Sequence, residues 1–454
     1  MNRHLRILGS ALLLSVSAVA QTNPAITGFI RNTTGITGRH YVSGSSTPIS
    51  DSYLANCQSV AYDANYSYIT CTGIPSYVIG PYLDGNPNQA ADNHNIYKIP
   101  LNPVQNTGTP VSTTMGTIGV FINGVSLFDC RDGVSYKNST GTNAGGPLGG
   151  AGDGVWNRDA IVAERAGFDC AKGHPAGTNY HHHQNPSAFN LDLNVVSTVC
   201  NLYVADGLYV IDSVHHSPLL GFAYDGFPIY GAYAYKNADG TGGIVRMKSS
   251  YHLRSITTRT TYADGSTVTA GPPVNTTYPL GYYREDYEYI PTSASTPDYL
   301  DAHNGRFCVT PEYPAGIYCY FATVDQNWNS AYPYVVGPNF YGTRVVSLVT
   351  SVPGGTTTYT GSTEVSDVAQ QNTEVTIYPN PANDVLMVQC KLGSKVNRTV
   401  ELIDELGRLV QTQTLFQGST MCYFDLQTVY NGYYTLRVTD GNKVQSYKVV
   451  VSKS

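Results

Sequence analysis

Charge is what this sequence has least of: Asp, Glu, Lys and Arg make up 13 % of its 454 residues, about half the usual share. No basic run occurs and the net charge is −6, so a nucleic-acid-binding surface is set aside. Low charge combined with 37 tyrosines argues against a disordered chain. After the first twenty residues no apolar stretch approaches ~18 in a row, so no transmembrane helix is expected in the mature chain. There is no Cys-x-x-Cys pair, which excludes a thioredoxin-like motif or a thiolate zinc knuckle. Gly-x-Ser-x-Gly and His-Glu-x-x-His are absent too, removing the simplest hydrolase and metalloprotease assignments. The glycine-rich stretch Gly145 to Gly154 is followed by no Lys-Ser/Thr and is not a phosphate cradle.

What is abundant is Gly (45), Pro (25) and Tyr (37). Tyrosine favours strands, and Gly and Pro favour turns. The expected fold class is therefore mainly β: a β-rich secreted domain with long loops, followed by a small Ig-like β-sandwich. Thr117 to Ile122 with Asn123-Gly124 reads as a strand entering a hairpin turn, and Asp159 to Ala166 is the most helix-like piece. Arg3, His4 and Arg6, the apolar run Ile7 to Val19 and Ala18-Val19-Ala20 have the order of a signal peptide, so the mature chain is expected to start at Gln21. Export permits disulfides. Of nine cysteines, Cys57 and Cys71, or Cys308 and Cys319, are close enough to clip hairpins, and Cys390 and Cys422 are a third candidate pair. The odd total leaves one over, and spacing does not fix the connectivity.

Near Val352 the composition turns polar through Pro353 to Asn372, as in a linker. Strand-like runs follow at Val375–Tyr378, Val385–Val388, Thr399–Ile403, Gly432–Val438 and Tyr447–Val451. Within them stand Tyr378-Pro379-Asn380-Pro381, Asp404-Glu405-Leu406-Gly407-Arg408, Asn431-Gly432-Tyr433-Tyr434 and a near-terminal Lys453. In that order these motifs resemble the type IX secretion C-terminal sorting domain. The resemblance implies handling of residues 375–454 by the type IX secretion machinery. It also implies passage through the periplasm and outer membrane of a Bacteroidota-type cell, with the domain removed on or after exit. The product would be secreted or held at the cell surface.

Histidine is concentrated: six of eleven lie between Gly173 and Pro218. The densest piece is Tyr180-His181-His182-His183, preceded by His174-Pro175 and followed later by His215-His216-Ser217-Pro218. Gly177 and Pro186 bracket the triplet, which suits an extended segment. On a strand, side chains alternate faces, so His181 and His183 project together and His182 points away. Two imidazoles from one backbone segment, completed by ligands from elsewhere, is a common way to hold a metal. His181, His183, His174 and His216 are the candidate ligands, with copper or zinc as the expected ion. His216 is preferred to His215 because Ser217-Pro218 fixes the chain after it. A lone histidine, such as His303 in its turn sequence, is read as packing and hydrogen bonding to carbonyls.

The same histidines, with His216 through Tyr230-Gly231, then Leu300 to Thr310, Pro311-Glu312-Tyr313-Pro314 and Tyr332 to Gly337, resemble the YHYH-domain family. The match runs from about Val120 to Gly342 and departs at one place: Tyr-His-Tyr-His reads Tyr-His-His-His here, with His182 in place of the second tyrosine. The resemblance implies a secreted or surface protein and supplies no activity. The organisation expected is a signal peptide over 1–20, a YHYH-like domain over 21–350, a linker over 351–374 and the sorting domain over 375–454. Three functions compete for the central domain. It is a metal-binding protein, a metal-dependent enzyme with an open coordination position, or a non-catalytic module binding glycans or proteins. Asp225, in a tight Asp-Gly turn, is read first as a backbone cap. The stretch Arg284-Glu285-Asp286 with Glu288 is read as a solvated face, since it lacks EF-hand spacing.

Overall fold

Short strands of alternating or continuous apolar character build this molecule. The computed structural model describes residues 22–453, except 187–210, 361–374, 391–396 and short loop positions at 43, 46, 83, 85–87, 212, 294, 405–406, 417–420 and 441–442. The expected signal peptide falls outside the described residues.

The central element is a mixed eight-stranded sheet. Its strands run in space as His174–Ala176, Asn179–His182, Ser126–Phe128, Thr117–Phe121, Leu219–Ala223, Pro228–Tyr230, Ile317–Phe321 and Gly305–Cys308. Neighbours are antiparallel except Asn179–His182 beside Ser126–Phe128, and Pro228–Tyr230 beside Ile317–Phe321. Leu219–Ala223 is buried at every position, as its unbroken apolar sequence requires of a strand covered on both faces. Two glycines let the middle strands meet: a Cβ on Gly221 would lie 2.3 Å from Val120 O, and one on Gly119 2.8 Å from Phe222 O. A second sheet, ordered Thr357–Thr358, Cys57–Tyr62, Tyr66–Cys71 and Asn95–Pro100, packs into the same hydrophobic core. Thr357–Thr358 lies in the stretch read as linker. It pairs with Ala61 and Tyr62, and Arg31 donates to the carbonyls of Tyr359 and Thr360.

The C-terminal part has its own core. Val375–Tyr378, Val385–Cys390 and Met421–Asp425 form one sheet, and Leu409–Leu415, Arg398–Asp404, Gly432–Asp440 and Lys443–Val451 the other. Leu386, Val388, Val400, Leu402, Leu436 and Val438 face inward between them, the alternation of a β-sandwich. The mainly β expectation, with an Ig-like sandwich at the end, holds.

Other expectations meet corrections. Asp159 to Ala166 holds only one helical turn, Ala160–Ala163, capped by the Asp159 carboxylate and followed by a 3-10 turn at Arg165–Gly167. The candidate cysteine pairs all lie on paired strands, with Cys57 directly opposite Cys71, but their six sulfurs are free thiols. Asp286 is not on a solvated face. It is fully buried and forms a two-point ion pair with the equally buried Arg259, at 2.7 Å to Nε and 2.8 Å from the second guanidinium nitrogen. Gly281 and Tyr283 also donate backbone N–H groups to it. A buried guanidinium needs a counter-charge, and that need draws Asp286 inside.

Removing one partner of such a pair leaves a buried, uncompensated charge. Asp286→Ala is expected to cost about 3–5 kcal/mol, read as a shift in the denaturant midpoint. The double change Arg259→Met with Asp286→Ala should recover only part of that loss, because it strands the Gly281 and Tyr283 N–H groups and the Pro272, Tyr278 and Pro279 carbonyls that the pair serves.

Candidate metal centre

The site is created by a hairpin. His174–Ala176 and Asn179–His182 pair antiparallel with His174 opposite His181 and Ala176 opposite Asn179, so Gly177 and Thr178 alone make the turn. Gly177 adopts φ +60°, a left-handed conformation that glycine takes without a Cβ penalty. Directly paired residues share a face with adjacent Cβ atoms, so the register places His174 and His181 side by side. His183, two residues beyond His181, joins them on that face. Their ligand atoms all lie within 4.8 Å of one another, and all three residues are at most 5 % exposed.

The ring orientations are set by their neighbours. His181 stacks on Phe128 at 3.8 Å between centroids, and His174 meets Phe168 edge-on at 4.9 Å. His181 Nδ1 lies 3.0 Å from the carbonyl of Asn179, and His183 Nδ1 lies 2.5 Å from that of Asp129. A carbonyl only accepts, so both Nδ1 atoms carry protons and both Nε2 atoms point into the site. These two Nε2 atoms are 3.0 Å apart. Two bare lone pairs that close repel, so a proton or a cation must sit between them.

Sequence reasoning did not single out Glu164. It follows the short helix as its C-cap residue, and its Oε2 lies 3.3 Å from His174 Nε2 and 3.4 Å from His183 Nε2. Glu164 Oε2 and both ring nitrogens of His174 are buried without a hydrogen-bond partner. The signal available was weak: Asp159 as an N-cap fixes the turn, but nothing in the sequence links that turn to the hairpin. Burial alone would raise the Glu164 carboxyl, yet the imidazoles of His174 and His183 hold it well below the usual range. Burial alone would lower His183, yet Glu164 and the Asp129 carbonyl lift it above the ordinary imidazole value. His181 goes the other way, lowered by burial and by the two neighbouring imidazoles.

His182 faces away, as its strand position requires. Its Nε2 lies 2.7 Å from Tyr77 Oη, its ring packs edge-on against Phe121 and Tyr180, and burial lowers it to about 3. It is a neutral core residue. Beside it Tyr180 donates its hydroxyl to Asp169, which also accepts from the backbone N–H groups of Gly80, Ala171 and Gly173.

His216 is not brought to this group. Its Nδ1 lies 2.7 Å from its neighbour's carbonyl at Ser217, and its ring packs against Tyr230 and Tyr235. Asp225 acts as a cap. It accepts from Phe227 N at 3.2 Å, Gly342 N at 2.8 Å and the Tyr320 hydroxyl at 2.5 Å. His303 Nδ1 lies 2.9 Å from the Asn339 carbonyl. A cleft of about 650 Å³ opens onto the triad, lined also by Phe128, Arg131, Asp132, Arg158 and Glu164. Both arginines are engaged, Arg131 with Asp129 and Arg158 with Asp132.

The family described as YHYH protein matches residues 96–333. The family described as secretion system C-terminal sorting domain matches residues 376–452. No curated protein matches the chain. Among solved structures, the dimeric latent PorU from Porphyromonas gingivalis aligns at 23 % identity over 18 % of this chain and 9 % of that one, with a TM-score of 0.15. At that score the likeness carries no structural argument.

The ring geometry makes a direct spectroscopic prediction. Nitrogen NMR of labelled imidazoles should find Nδ1 protonated in both His181 and His183 between pH 6 and 8, and a bare Nδ1 on either would contradict the orientation described.

Proposed function

The chain belongs to the YHYH protein family, which matches more than half of its length, and on that premise we propose that its central domain binds a transition-metal ion through His174, His181 and His183. Its C-terminal sorting domain marks it as a protein delivered to the cell surface or beyond by type IX secretion. Among the described residues no helix is long and apolar enough to cross a membrane. The working part in this reading is the region from Gln21 to about 350, with 375–454 serving export and then being removed.

One observation carries the metal assignment. Three buried imidazoles converge, two of them with Nε2 atoms 3.0 Å apart, and the Glu164 carboxylate stands 3.3 and 3.4 Å from the Nε2 atoms of His174 and His183. Burying polar atoms unsatisfied is costly, and a cation would satisfy one nitrogen of each ring together. Neutral imidazole suits zinc, copper, nickel and iron, and copper or zinc is the expected ion. His216 stands outside this set because tyrosines and a carbonyl surround it.

A metal-dependent enzyme is the second reading, favoured by the 650 Å³ cleft that reaches the triad. A metal with a position facing such a cleft activates bound water or polarises a substrate. A non-catalytic surface module for glycans or proteins would need no ion.

The deciding experiment is elemental analysis of the secreted protein, purified without a His-tag and reconstituted with zinc or copper. The expected result is close to one ion per chain, lost in His174→Ala, His181→Ala and His183→Ala and retained in His216→Ala. No ion in the parent chain would leave the binding-module reading in the lead. Because His183 is held above its ordinary value, the ion must displace a proton. Affinity should therefore weaken as pH falls, and calorimetry in buffers of different ionisation enthalpy should register proton release.

A further inference from the structure

We infer that the cleft over the histidine triad takes a small organic molecule with a hydrocarbon body and one polar head, the head reaching the ion and the body lying along the cleft wall. The inference rests on the metal-binding reading of the triad and adds to it the class of ligand. The cleft encloses about 650 Å³, within the range of sites that hold small organic molecules. Outside the centre its polar side chains are already engaged. Arg131 donates to Asp129 and to the Thr113 carbonyl, Asp132 holds Arg158, and Asp84 and Asn88 have partners of their own. The rest of the wall comes from glycines and from Met115, Pro147, Ala163, Ala166, Pro175 and Ala176, whose side chains carry no N–H, O–H or oxygen.

Two other ligand classes fit this wall poorly. A sugar carries a hydroxyl on nearly every carbon, and each one buried without a partner costs free energy. The arginines and acids that would meet those hydroxyls are paired with one another. Phe128, the aromatic ring on the wall, has His181 stacked on it at 3.8 Å, so that face is closed to a sugar ring. An extended peptide adds to a sheet edge through main-chain hydrogen bonds. The edge strand beside the cleft is His174–Ala176, and Pro175 at its middle has no N–H to donate. A hydrocarbon body needs neither kind of partner, and its burial is favourable in proportion to the apolar area covered. Met115 is 53 % exposed, so a ligand lying over it takes apolar surface of the protein out of water as well as its own.

Two hydroxamates with the same carbon count separate these classes. Hexanohydroxamate and gluconohydroxamate share a metal-binding head and differ in the tail, which is hydrocarbon in the first and hydroxylated in the second. The zinc-loaded secreted protein is titrated with both by calorimetry, each affinity is compared with that for zinc in solution, and the zinc content is measured before and after. Hexanohydroxamate should bind about tenfold or more tightly than gluconohydroxamate. Met115→Gln, a change at an exposed position outside the triad, should cut that preference severalfold with the zinc content unchanged. Zinc retained with equal affinity for both tails, with tighter binding of the hydroxylated one, or with no binding of either would overturn the ligand class and leave the histidine site standing. A preference that Met115→Gln leaves unaltered would place the tail off this wall and overturn the inference too. A folded parent protein that takes up no zinc would overturn the metal reading itself, and this inference with it.

Discussion

The pairing of His174 with His181 is the constraint on which the rest of the centre depends. A two-residue turn fixes the register of the hairpin, and register decides the face of every side chain on both strands. A slip of one residue would move His181 and His183 into the core and bring His182 to the cleft. Three features oppose that slip: the left-handed backbone at Gly177, the parallel pairing of His181 and His182 with Ser126 and Leu127, and the Tyr180 hydroxyl on Asp169. The last is the most telling. Asp169 also holds the backbone of Gly80, Ala171 and Gly173, so one buried carboxyl ties the start of the hairpin to two other segments.

The same device recurs across the central domain. Tyr334 donates to Asp159, Tyr320 to Asp225 and Tyr318 to Asp301. Burial pushes Asp159 and Asp169 up to about 7 and Asp225 up to about 6, outweighing the donors around each. A sequence with few charges and many tyrosines thus places its acids inside, as acceptors for phenol hydroxyls and turn N–H groups. This explains why the low charge content does not produce a featureless apolar core. It also means that two of these pairs serve the centre: Asp169 positions the hairpin and Asp159 positions the turn that carries Glu164.

Local pattern made much of this legible. The hairpin at Asn123-Gly124, the mainly β class, the sandwich at the C-terminus and the opposite orientations of His181 and His182 all follow from turn residues and period-two alternation. His174 was within reach because of its nearness in sequence to the triplet. What escaped was tertiary. Glu164 belongs to a turn that meets the hairpin only through folding, and His216 looked favourable because of Ser217-Pro218 although the fold sends it among Tyr230 and Tyr235. Asp286 looked solvated because its sequence neighbours are charged, whereas its true partner, Arg259, is 27 residues away.

The histidine triplet shows how far the face of a strand decides chemistry for one residue type. His182 and His183 are adjacent in the chain and equally buried, at 0 % and 3 % exposure. His182 is surrounded by aromatic rings and a phenol hydroxyl, and burial drives it down to about 3, leaving it neutral. His183 faces a carboxylate and a carbonyl, which lift it instead. The position that carries tyrosine in the family motif is therefore the one on the core face, where a histidine serves as a packed, singly hydrogen-bonded ring much as a tyrosine would. The departure from the motif leaves the cleft side untouched, because the backbone that separates the two faces is held by hydrogen bonds in which the His182 side chain takes no part.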